Sequence, residues 1–197
     1  MNNKKKMLNG LLYDGSKDGL AEDRANNWLL IQKYNNWPVD DLTGLDLLAK
    51  KIIGSSKSKL RIKPPFYCDY GYNIHVGENF FANYNLTILD TAPIYIGNNV
   101  MIGPNVNIFA AGHPIDPIIR NTGIEFGQEI HIGNNVWIGG GTIINPGVNI
   151  GDNTVIGSGS VVTQSIPDNV VAAGNPCRYI RKITERDKIY YFKNKKY

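Results

Sequence analysis

Three histidines occur in the chain, and their neighbours separate them. His113 stands between Gly112 and Pro114, in a stretch that shares none of the periodicity around it. A histidine changes charge near physiological pH, so an imidazole carried on a loop is a candidate general base. His75 and His131 sit instead in the triplets Ile74-His75-Val76 and Ile130-His131-Ile132. Alternation along an extended chain turns both rings away from the aliphatics, outward, and so away from catalysis. Cys68 and Cys177 are the two cysteines, too few for a disulfide framework or a thiolate metal site, and are expected reduced and structural. The chain closes on a cationic run. From Arg178 to Tyr197 eight Lys or Arg stand against Glu185 and Asp187, so this tail carries +6 while the whole chain carries +4. Such a tail suits nucleic acid or a phosphate-rich small ligand, and no nucleic-acid motif accompanies it.

The residues that must position this chemistry repeat in sixes. Ile132, Ile138, Ile144, Ile150, Ile156 and Val162 fall at a constant spacing, and Gly133, Gly139, Gly151 and Gly157 follow four of them directly. Val136, Thr142, Val148, Thr154 and Ser160 come four residues after each aliphatic. A helix repeats at about 3.6 and a strand at about 2, so a period of six requires another geometry. Hexapeptide repeats are a signature of parallel β-helices, with one short strand and a turn per repeat and three repeats per triangular coil. The aliphatic then points into the prism. The glycine or asparagine after it meets a demand for positive φ or close backbone approach. Upstream, Val76, Ala82 and Ile88 are in phase; two extra residues near Asp90–Pro93 shift it, and Ile96, Ile102 and Ile108 resume it. Ile108 and Ile132 are 24 residues apart, four repeats, so the loop 110–128 leaves a coil and returns near its exit. A patternless loop extruded from a rigid prism is where function is expected, and it holds His113.

The rest of the chain reads as caps on that prism. Residues 1–62 are expected to be helical: one helix with Ala21, Ala25, Trp28 and Leu29 on its apolar face, then a second starting at Thr43 with Asp46 as its capping partner. Leu45, Leu48, Ala49 and Ile52 form the apolar stripe of the second helix, and Gly54 stops it. Such a pair would cover an end coil whose strand edges are otherwise unpaired. The prism is expected over 63–165, and an extension ending in a short basic helix or extended tail over 166–197. With 42% hydrophobic and 19% charged residues the composition is that of a globular protein. No apolar run approaches the roughly 18 residues of a membrane span, and the start lacks the apolar core of a signal peptide, so a cytoplasmic location and no membrane partner are expected.

Beyond the period, specific segments carry a resemblance: YDGSKDGLAEDR, PPFYCDYGYNIHVGENFFANYNLTILD, GHP, IGNNVWIGGGTIINPGVNIGDNTVIGSGSVVT and NVVAAGNPCRYIR. In this order, over nearly the whole chain, the sequence resembles the sugar O-acetyltransferases of the galactoside and maltose type, within the hexapeptide-repeat acyltransferase superfamily. The resemblance implies an all-β fold, a left-handed parallel β-helix with an N-terminal helical cap and a basic C-terminal tail. It further implies a homotrimer with sites between subunits, acetyl-CoA as acetyl donor with no metal required, and a sugar as acceptor. The left-handed sense runs against the usual right-handed crossover and is implied by the resemblance alone.

Transfer of an acetyl group to a hydroxyl needs a base and a donor aimed at the oxyanion. The resemblance gives the first role to His113 and the second to the amide of Gly140, where Gly139-Gly140-Gly141 permits close approach of a thioester. It implies that Asn83 orients the acceptor or base from a neighbouring subunit, and that Asp14, Arg24 and Asp90 line the acceptor pocket. Glu125, in the loop after His113, is expected to contact the base or acceptor. The resemblance implies that the pantetheine arm lies near Trp137, Ser158 and Thr163, and that Arg178 and Arg181 meet the phosphates. The sequence departs from the family in having Phe81 where tyrosine is usual, Gln164 where lysine is usual, and one extra residue between Asp14 and Arg24 relative to the galactoside enzymes. Three rivals remain at this stage: a γ-type carbonic anhydrase with three converging histidines on zinc, a non-enzymatic scaffold, and an acetyltransferase of another acceptor such as an antibiotic or serine.

Overall fold

The six-residue period closes into a triangular prism, seen in a computed structural model that describes residues 1–197. Its first face pairs strands Ser55–Ser56, Ile74–Val76, Ile94–Ile96, Ile130–Ile132 and Asn149–Ile150 in parallel. The second face stacks Arg61–Ile62, Phe81–Ala82, Met101–Ile102, Trp137–Ile138, Val155–Ile156 and Val170–Ala173. The third stacks Phe66–Cys68, Leu86–Leu89, Asn107–Phe109, Ile143–Ile144 and Val161–Val162. The chain visits the faces in that order on every coil.

The inward aliphatics lie in columns. Ile88, Ile108, Ile144 and Val162 are in register on the third face, and Ala82, Ile102, Ile138, Ile156 and Ala172 on the second. Each is 0 or 1% exposed. Truncating one such isoleucine to alanine is expected to cost about 2–5 kcal/mol, because a rigid coil collapses poorly onto the void. The second-position hydroxyls are buried without being orphaned: Thr142 donates to Gly139 C=O at 2.7 Å and Thr154 to Pro167 C=O at 2.8 Å. The glycine after each aliphatic serves close approach, since a Cβ on Gly97 or Gly133 would meet the next coil below ordinary contact. Positive φ falls two residues later, on asparagine after Gly77, Gly97, Gly133 and Gly151 and on glycine, Gly141 and Gly159, after Gly139 and Gly157. At the corner between first and second faces Asn79, Asn99, Asn135, Asn153 and Asn169 join amide to amide at 2.8–3.0 Å in a ladder running along the prism.

The coils begin at Ser55, ahead of the boundary expected at residue 63. Below them sit the helices α1 (Asn3–Leu8), α2 (Leu20–Asn35) and α3 (Leu42–Ile52). The stripe Leu45, Leu48, Ala49 and Ile52 is buried as expected, but the cap of α3 is Asp41, which accepts from Gly44 N–H at 2.8 Å. Asp46 is spent elsewhere, on Leu60 N–H at 2.6 Å and Lys50 at 2.9 Å. The face of α2 also differs: Leu20, Asn27, Ile31 and Tyr34 are buried, whereas Ala21, Ala25, Trp28 and Leu29 face outward. The reason is the open strand edge beneath. Asn27 donates to Cys68 and Asp69 carbonyls, Tyr34 to Ile62 C=O at 2.6 Å, and Asn35 exchanges two bonds with Phe66. A helix that satisfies a strand edge needs polar groups on its inner side.

The loop 110–128 is structured, not patternless in space. Ala111–Gly112 and Ile124–Gly127 form an antiparallel pair around α4 (Pro117–Arg120), and Gln128 N–H closes the base on Ala110 C=O at 2.9 Å. Tyr13–Asp14 adds a third strand. At the other end Arg178–Lys182 runs antiparallel to Val170–Ala173, followed by α5 (Arg186–Ile189) and a hairpin of Tyr190–Phe192 with Lys195–Lys196. No helix is long and apolar enough to cross a membrane.

Candidate active site

The corner between third and first faces gathers most of the expected acceptor residues. The loop 110–128 leaves from it, and the Tyr13–Asp14 strand ties that loop to α2. His113 is exposed at the start of the loop, with Nδ1 3.4 Å from Ile124 C=O. A proton on Nδ1 directed at that carbonyl leaves Nε2 as the basic nitrogen. Gly112 precedes it because the Phe126 ring occupies the space where a Cβ would stand.

Glu125 is the register partner of Tyr13 in the antiparallel pair, so their side chains share one side of that ribbon. The Glu125 carboxylate passes over Gly15, which has no side chain to obstruct it. Arg24 reaches the same place from α2, donating to Gly15 C=O at 2.9 Å and to the Tyr70 hydroxyl at 2.5 Å. Burial and the neighbouring Glu125 carboxylate raise the Tyr13 hydroxyl far above the usual phenol range, so it remains a donor. It has no partner within hydrogen-bond geometry, nor does the buried Thr91 hydroxyl. Asp14 is drawn into a turn, accepting from Ser16 N–H at 2.9 Å and Ser16 Oγ at 2.6 Å, which lowers its carboxyl below the ordinary value.

Asp90 departs from expectation. It is 0% exposed, and its oxygens accept from the amides of Asp69 at 3.1 Å, Tyr70 at 2.9 Å and Asn73 at 3.3 Å. It shapes the corner that presents Asp69 and Tyr70 and does not open onto the surface. Burial pushes its carboxyl up to about 7, opposed by the Tyr70 amide. The phase shift at 90–93 marked this excursion in the sequence without showing its depth.

Of the expected coenzyme residues, Gly140 and Ser158 lie at a different corner, between second and third faces. The amides of Gly139 and Gly141 are bonded to Ile156 and Pro104 carbonyls, while that of Gly140 donates to no acceptor of the chain. Ser158 stacks on Gly139 in the next coil, and Asn83 lies on the same corner further down, its amide on Ile102 C=O at 2.9 Å. Thr163 is exposed at the end of the third face. Trp137 is 51% exposed on the second face, in register with Met101, itself 53% exposed and paired with Phe81. Arg178 extends from the last strand, with Nη1 on Cys177 C=O at 2.9 Å. Arg181, the second residue expected at the phosphates, is held by Asp187 with two bonds of 2.7 and 2.8 Å.

The other histidines are apart from both corners. His75 and His131 stack on either face of Tyr95, with centroids 5.1 and 5.0 Å away, on the outside of the first face. They do not converge with His113, and no group of three or more His, Cys, Asp or Glu is arranged to hold a metal ion. Both cysteines are buried, and burial raises their thiols.

Known proteins are similar in sequence and in fold over nearly the whole chain. Residues 129–164 match the model of the bacterial transferase hexapeptide (six repeats), and residues 6–57 that of the maltose acetyltransferase hexapeptide capping motif. The galactoside O-acetyltransferase of Escherichia coli K12 is 47% identical over 187 residues, 95% of this chain and 92% of that protein. The chain belongs to the galactoside and maltose O-acetyltransferase family. A family structure, galactoside acetyltransferase in complex with coenzyme A, superposes with a TM-score of 0.97 at 45% identity, covering 100% of this chain and 98% of that one. A second, the maltose O-acetyltransferase of Clostridium difficile 630, gives 0.91 at 51% identity, covering 93% and 98%. The left-handed coil expected from the resemblance is the fold of this family. Sequence reasoning left Tyr13, Asp69 and Tyr70 unassigned, although all three lie in its resemblance segments and two touch Asp14 in sequence or Arg24 in space.

Proposed function

We propose that the protein transfers acetyl from acetyl-CoA to a sugar hydroxyl, with His113 as general base, in a direct step between two bound substrates. The observation that carries this reading is the tether of His113 to a strand that also presents Glu125 beside Arg24. Nε2 takes the hydroxyl proton as the oxygen attacks the thioester carbonyl carbon. The tetrahedral oxyanion is met by the Gly140 amide, which has no other acceptor to give up. Collapse breaks the carbon–sulfur bond, and the imidazolium returns the proton to the departing thiolate. Guanidinium and carboxylate groups of Arg24, Glu125 and Asp14 suit the hydroxyl rim of a sugar. Both cysteines are buried and their thiols raised, which favours direct transfer over an acyl-enzyme.

The base and the Gly140 amide occupy different corners of one prism, so the reading requires a second copy of the chain, and we place the sites between subunits of a homotrimer. The half-exposed stripe Phe81, Met101 and Trp137 is apolar surface for that contact. Mixing two inactive chains tests it. Trimers co-assembled from His113→Ala and Asn83→Ala chains are expected to regain turnover, because some interfaces then combine an intact histidine with an intact asparagine. No regain in verified mixed oligomers would refute the shared site.

A further inference from the structure

Next to the acceptor cluster the same corner opens into a groove of about 400 Å3. Ala25 and Trp28 of α2 line it on one side and Tyr67 and Leu89 of the third face on the other, together with Arg24 and Asp69. Arg24 therefore belongs to this groove and to the cluster around Gly15 and Tyr70. Trp28 is 53% exposed and Tyr67 40%. The chain's own packing makes no demand for an indole there, since the inner side of α2 is filled by Asn27, Ile31 and Tyr34. Asp69 has its amide on Asp90 and its carbonyl on Asn27, while its carboxyl accepts no hydrogen bond from the chain. Burial raises that carboxyl, opposed by the nearby Arg24 guanidinium.

We propose that this groove is an outer acceptor subsite that holds a second pyranose ring, linked to the ring that receives the acetyl group. The inference rests on the sugar-transfer reading above. A pyranose presents an apolar C–H face that packs on an aromatic ring and a rim of hydroxyls that pair with planar polar groups. The groove supplies both, with Trp28 and Tyr67 as the aromatic walls and Asp69 and Arg24 as acceptor and donor. A wholly apolar occupant would cover the half-buried Asp69 carboxyl without donating a hydrogen bond to it, which is costly.

The test compares kcat/KM for a disaccharide and for its component monosaccharide, at saturating acetyl-CoA, in the parent and in Trp28→Ala, Trp28→Phe and Leu29→Ala. The disaccharide-to-monosaccharide ratio is expected to fall about tenfold in Trp28→Ala and to recover most of that loss in Trp28→Phe. Leu29→Ala, on the neighbouring exposed position outside the groove, is expected to keep the parent ratio. Disaccharide binding is also expected to blue-shift an emission component that Trp28→Phe removes. A Trp28→Ala ratio equal to the parent's would overturn the subsite while leaving sugar transfer intact. A parent that acetylates neither sugar would sink the sugar reading and the subsite together.

Discussion

Gly15→Ala separates the site from the fold. The position needs no positive φ, so alanine fits the backbone, and replacing glycine at such a position stabilises by about 0.4–1 kcal/mol through the unfolded chain. The new Cβ meets Glu125 Oε1 well inside contact and Arg24 Nη1 at 3.2 Å. Glu125 Oε1 ends a flexible side chain and can retreat, by about 1 Å to reach ordinary separation. A misplacement of about 1 Å in a positioning group costs on the order of 10²-fold in rate. The expected outcome is therefore a thermal midpoint at or slightly above the parent's and a kcat/KM for the sugar lower by about 10²-fold. Acetyl-CoA affinity, read by calorimetry, should be unchanged. Parent-like kcat/KM would refute the placement of Glu125 at the acceptor, and a large fall in midpoint would show that the carboxylate has nowhere to go.

Arg178→Ala is expected to raise KM for acetyl-CoA about tenfold, since a hydrogen bond to a charged group is worth about 1.5–3 kcal/mol and this side chain is exposed. Arg181→Ala should raise it less and loosen the tail instead, measured by proteolysis, because Asp187 already holds that guanidinium. Asp90→Asn tests the buried carboxyl: its folded pKa, about 7, lies above the unfolded value of about 3.9, so its contribution to stability is full below about pH 3.9 and is lost as pH rises through 7. The unfolding midpoint of the parent should thus decline between those pH values relative to that of the variant, and parallel curves would contradict the burial argument.

The prism was legible because its core repeats one demand, an aliphatic turned inward every sixth residue, and nothing else in the chain competes with it. The loop carrying His113 was legible as the interruption of that period. Its strands were not, since Ala111–Gly112 and Ile124–Gly127 are short and lack alternation, and their third partner, Tyr13–Asp14, comes from the far end of the chain. The face of α2 was misread because amphipathicity assumes an apolar partner, whereas Asn27 and Tyr34 serve a strand edge. Asp90 reads as a surface carboxylate until the corner folds over it, and Arg181 as a free cation until the tail brings Asp187 beside it. For α2 and Asp90 the local pattern was overruled by contacts distant along the chain and by burial, whereas Arg181 was answered by a carboxylate only six residues on.

The most direct test of the account is the turnover of His113→Ala. His113 stands outside the aliphatic columns on an exposed loop, so its removal leaves no cavity. The variant is expected to bind acetyl-CoA as the parent does while kcat falls about 10²–10⁴-fold, the usual contribution of a positioned general base. His75→Ala and His131→Ala, on the outer side of the first face, should stay within a few-fold of the parent. Near-parent turnover in His113→Ala would contradict the account and assign the proton to another group.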